Sequence, residues 1–112
     1  MKRVVLLLGL SIFYTSAQAA STGLEEVKAL GTLNGQALAC SQKANIKRIK
    51  ALMISHAPKS RQYGAMFEQS TQESFLVRSR EQEACVDAPL IALKVEDLAS
   101  QLRAISSAGE KR

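Results

Sequence analysis

The chain holds one histidine and two cysteines in 112 residues, and each scarcity narrows its chemistry. With His56 as the only imidazole, any Ser-His-Asp or Cys-His mechanism must pass through that one side chain. No G-x-S-x-G elbow occurs, and no glycine-rich loop precedes a helix in phosphate-cradling form. One histidine and two distant cysteines do not make a zinc site of usual composition, and the acids lack EF-hand spacing. Many carboxylate pairs exist, but none is distinguished as a glycosidase pair. The reading is a non-catalytic protein, with no cofactor and no metal-ligating residue assigned.

Acidic residues are missing from the middle of the chain. Lys43, Lys47, Arg48, Lys50, Lys59 and Arg61 have no acid among them, whereas acids outnumber bases downstream. Tyr63 is the sole aromatic near this basic stretch, too little for the base-stacking that single-stranded nucleic acid requires. Nucleic acid is therefore not an expected partner.

Long apolar runs are confined to the start. Lys2 and Arg3 precede an apolar stretch from Val4 to Tyr14 that is too short to span a bilayer comfortably. Ala17-Gln18-Ala19 follows in the small-x-small pattern of a signal peptidase site. Residues 1–19 read as a cleaved secretory signal, 20–106 as a single helical domain and 107–112 as a flexible tail. The protein is expected in the periplasm or outside the cell, without stable membrane insertion after cleavage. Losing Lys2 and Arg3 lowers the formal charge from +5 to about +3.

A domain this small has a thin stability margin, which a disulfide in an oxidising compartment would widen. Cys40 and Cys85 allow only one intramolecular pairing, and their wide separation is unlike a redox C-x-x-C motif. Closing that loop is worth on the order of 4 kcal/mol in the chain-entropy model.

What is present is helical periodicity. Thr22 and Glu25 stand in capping-box positions, and Leu24, Val27 and Leu30 share one side of a short first helix. Gly31 and Asn34-Gly35 are expected to interrupt it. In the next helix Leu38, Gln42, Ile46, Ile49, Met53 and His56 share an arc, flanked by Leu52. Cys40, Ala44, Ala51 and Ile54 form a small-residue face opposite, expected to meet a close neighbour in a bundle. His56 reads as the helix end, before Pro58 stops it.

A third helix begins near Ser60 or Arg61, with Tyr63, Met66, Phe67, Ser70, Ser74 and Val77 inward. Continuing its register would place Glu81 in the core, so a kink or end is expected around Arg78 to Arg80. The clasp requires the same break, because a straight helix from Tyr63 to Cys85 would carry the sulfur past Cys40. Asp87-Ala88-Pro89 starts the last helix, whose Ile91, Val95, Leu98, Leu102 and Ile105 follow a 4-3-4-3 spacing. The expected fold is an all-α, small four-helix bundle, its first helix short, with Cys40–Cys85 clasping a central antiparallel pair.

Lys43, Lys47 and Lys50 form an i, i+4, i+7 row of like charges, which repel by a few tenths of a kcal/mol per pair. Acids must answer them, either on neighbouring helices or in a partner. The row and the turn through Lys59, Arg61 and Tyr63 are the candidate contact surface for an acidic protein of the cell envelope. The alternative is an envelope stress holdase that exposes apolar helix faces, with Leu90 and Leu93 as its grip.

Overall fold

The computed structural model describes residues 23–81 and 84–110. The signal segment and Thr22 lie outside the described residues. Four helices account for most of them: α1 (Leu24–Ala39), α2 (Lys43–His56), α3 (Arg61–Glu81) and α4 (Ala88–Glu110). No strand occurs among the described residues. The all-α four-helix bundle and the Cys40–Cys85 disulfide are as the sequence led us to expect.

Gly31 and Asn34-Gly35 do not interrupt α1, which runs through them to Ala39. They are its contact surface with α3. A Cβ on Gly31 would lie 2.7 Å from both the Phe67 carbonyl oxygen and Ser70 Cβ. A Cβ on Gly35 would collide with the Thr71 carbonyl oxygen, and would lie 2.7 Å from the Phe75 amide nitrogen and Ser74 Cβ. Glycine is required here because two backbones approach closely, not because the chain turns. Ser74 Oγ donates to the Thr32 carbonyl at 2.7 Å, and Asn34 Nδ2 donates to Thr71 Oγ1 at 3.3 Å.

The helix boundary falls later, at Cys40 to Gln42. Ser41 takes the left-handed conformation at φ 55°. Its N–H donates to the Leu38 carbonyl and the Gln42 N–H to the Ala37 carbonyl, a Schellman closure of α1. At the other corner Ala57 is extended ahead of Pro58, as proline demands of its predecessor. The Asp87 carbonyl accepts from the Leu90 and Ile91 amides and so starts α4.

α1 and α3 run parallel, since Gly23 lies by Tyr63, Gly31 by Ser70 and Gly35 by Ser74. α2 and α4 also run parallel, with contacts from Gln42–Val86 through Arg48–Glu96 to His56–Ser106. Gly23 lies beside Leu102 and Ile105, so these two pairs are antiparallel to each other. α1 is the hub, packing on all three other helices. The backbone of α3 comes close only to that of α1, so the antiparallel neighbours α2 and α3 do not form a packed pair. The disulfide joins the α1–α2 corner to the α3–α4 connection, with a Cα–Cα distance of 5.8 Å.

The core lies between α1, α2 and α4. Val27, Leu30, Ile49, Leu52, Ile91, Val95 and Leu102 are fully buried in it. Each contributes roughly 1.5–3 kcal/mol of gross transfer free energy. Tyr63, Met66 and Phe67 of α3 pack on its edge. Ala44, Ala51 and Ile54 of α2 are exposed, the last at 70%. The small face of α2 therefore meets no neighbour, because α1 occupies the position expected of one and sits on the Ile49 side.

Candidate functional site: the outer face of α2

α2 contains five basic residues, counting His56, and no acid. Rotation by 100° per residue sets Lys43, Lys47, Lys50 and Ile54 within an arc of about 60°. They cover about 16 Å along the helix axis. Exposed Ala44 and Ala51 border the row on one flank, and half-buried Ile46 and Met53 on the other. The bulky face of α2 is committed to the core, so the lysines are turned outward by the same pattern that folds the helix.

The surrounding charges separate cations engaged inside the fold from those left open. Arg48 Nε donates to Glu96 Oε1 at 2.7 Å and Arg48 Nη2 to Glu96 Oε2 at 3.2 Å, a fork-shaped pair across α2 and α4. Arg103 adds a longer contact to the same carboxylate at 4.0 Å. The Arg48 hydrogen bond holds the Glu96 carboxyl below its usual range and raises the guanidinium. The side chains of Lys43, Lys47 and Lys50, in contrast, form no hydrogen bond or ion pair with any described residue.

The turn after α2 is divided in role. Lys59 Nζ donates to the carbonyls of Met53 and Ile54, closing the last turn of α2 where the helix dipole favours a cation. Arg61 opens α3, exposed and without an ion pair among the described residues. Tyr63 is half-buried against the core edge, with its ring 4.0 Å from a Cβ built on Gly23. His56 stands in the last turn of α2, and its carbonyl accepts from Ser106 Oγ at 3.2 Å. The structure thus brings Lys43, Lys47 and Lys50 together as one surface, leaves Arg61 open beyond Pro58, and gives Lys59 and Tyr63 work within the fold.

Sequence reasoning missed Ile54 as part of this face, having assigned it to a buried one. Its signal was available, since Ile54 stands at i+11 from Lys43 in the same row. A second feature had no sequence signal. Gln42, which caps α2, and Lys43, Ala44 and Asn45 of its first turn face Ala88, Pro89 and Ala92 of α4 across a cleft of about 350 Å³. Its rim is held by Asn45 Nδ2, which donates to the Ala88 carbonyl at 3.1 Å, and Gln42 Nε2, which donates to Val86 at 2.7 Å.

No cluster of three or more metal-ligating side chains occurs among the described residues. None of the described helices is long and apolar enough to cross a membrane. Compared with known proteins, the chain matches no family model, no curated protein and no solved structure.

Proposed function

We propose that this is a small exported, non-catalytic protein that binds an acidic protein partner in the cell envelope through the outer face of α2. One observation supports the reading above others: three lysines stand in a row, exposed, and answer no acid of the described chain. Arg48, one position from Lys47, is in contrast paired with Glu96 of α4. An unpaired row of like charges is tolerated at the surface at small cost and gains when a complementary partner arrives. Arg61 extends the positive surface past the turn. The signal-like start and the Cys40–Cys85 bridge support an oxidising, extracytoplasmic location.

A photo-cross-linking residue at Ala51 in the full chain, followed by mass spectrometry, tests the assignment in intact cells. The expected result is one dominant acidic protein that is lost on Lys47→Glu with Lys50→Glu, with an unchanged melting temperature. Capture that persists in that charge-reversed variant overturns the surface.

The holdase reading keeps one supporting observation: Leu90 and Leu93 are 52% and 69% exposed, and Phe75, Leu76 and Val77 are also open to solvent. A hydrophobic dye that binds before cooperative unfolding, on mild heating or acidification, is its expected signature. Dye binding that rises only with global unfolding rules it out.

A further inference from the structure

We infer that the cleft between the first turns of α2 and α4 is an anchor pocket for one apolar side chain of the acidic partner. The occupant is an acidic helical segment lying along α2. This rests on the proposed lysine surface and adds the feature that would give it specificity. The cleft is walled by Ala44, Ala88, Pro89 and Ala92, whose short side chains leave about 350 Å³ open between two helices. Lys43 stands on its rim and begins the lysine row.

Small walls matter because charge pairs at an exposed surface hold little energy, whereas a buried apolar anchor supplies affinity and register. The floor is rigid. Asn45 and Gln42 tie the start of α2 to the backbone of the α3–α4 connection and α4, next to the disulfide. A pre-formed pocket loses little entropy on binding.

Charge complementarity selects an acidic occupant, and the row selects a helical one. Lys43, Lys47 and Lys50 follow a straight helical line, which carboxylates at i, i+4 and i+7 of a second helix can match. A bilayer surface fits less well, because Ile49 and Leu52 of α2 are buried in the core and Ile46 and Met53 half-buried, which leaves Ile54 as the exposed large apolar side chain of its lysine row.

The test uses the full chain with a synthetic helix bearing three glutamates at that spacing and one leucine a turn beyond them. Its counterpart carries serine in place of leucine, and vesicles of anionic phospholipid serve as the third probe. Wild-type protein should bind the leucine helix about tenfold more tightly than the serine helix. Ala44→Leu, which fills the cleft from an exposed position, should abolish that preference while leaving the salt dependence of binding unchanged. Lys47→Glu with Lys50→Glu should weaken both helices and flatten the salt dependence.

Equal, lysine-dependent binding of the two helices overturns the anchor and leaves the proposed function standing. Binding that ignores the lysine changes overturns both. Vesicle binding that Ala44→Leu abolishes, without helix binding, overturns the protein occupant in favour of lipid.

Discussion

At the scale of single residues, the decisive contrast is between glycines in one fold. Gly35 faces the α3 backbone with no room for a methyl group, while Gly64 has nothing within 4 Å of its would-be Cβ. Gly35→Ala should destabilise the protein by about 1–3 kcal/mol, since neither backbone can yield without parting α1 from α3. Gly64→Ala should stabilise it by about 0.5–1 kcal/mol, through helix propensity and a less free unfolded chain. Denaturant midpoints measure both, and equal shifts would contradict the close packing. Glu96 offers a second test at this scale. Its folded pKa is depressed by the Arg48 hydrogen bond, so the pair's contribution is complete above the ordinary carboxylate range. It is lost as pH falls through that depressed folded value. Glu96→Gln should therefore lower stability slightly at neutral pH and flatten the acid limb of the stability profile. The side chains are 44% and 53% exposed, so the effect should be small and should fade with added salt.

At the scale of the helix, what was legible depended on whether the signal was local. The stripe of α4 was fully readable: Ile91, Val95 and Leu102 are buried, and Leu98 and Ile105 half-buried, because a 4-3-4-3 apolar pattern needs no knowledge of its partner. An end of α3 was expected around Arg78 to Arg80; the helix continues to Glu81, which is exposed rather than turned into the core, and the chain then reaches Cys85 as the disulfide requires. α1 was misread for the opposite reason. Gly31 and Gly35 look like breaks until Ser70 and Ser74, some forty positions away, are placed against them. The lysine row was legible as a pattern, but whether acids answered it depended on which helix lay beside α2. The same geometry predicts uneven stability. The backbone of α3 approaches only that of α1, and α3 buries only Ser70 fully, while its Phe75, Leu76 and Val77 are 40–53% exposed. Native-state hydrogen exchange should show α3 amides opening at lower free energy than the core amides of α1, α2 and α4. Uniform protection across all four helices would show that the close glycine–serine packing makes α3 as firm as the core.

For the whole molecule, the disulfide decides how that weakly held helix is contained. Cys40 and Cys85 are 45 positions apart, and the bridge connects the corner of α1 and α2 to the segment following α3. α3 is tethered at its start by the Pro58 turn and at its end by this bridge. Without it, the loop between Cys40 and Cys85 gains freedom worth about 4 kcal/mol in the unfolded state. That is a large fraction of the 5–15 kcal/mol typical of a domain. Cys85 is exposed and Cys40 half-buried, so a small thiol reductant can reach the bridge without prior unfolding. Cys40→Ser with Cys85→Ser should lower the denaturant midpoint by an amount approaching that figure. At moderate denaturant the first amides to lose protection should be those of α3, ahead of the Ile49, Leu52 and Val95 core. The cleft beside the bridge should loosen with it, because Gln42 and Asn45 hold the same segment that Cys85 anchors. The disulfide-free variant, assayed below its unfolding midpoint, should then lose the leucine preference of the acidic helix while keeping the lysine-dependent part of binding. If preference and stability instead survive together, the hydrogen bonds of Gln42 and Asn45 suffice to hold the corner, and the bridge guards only against unfolding.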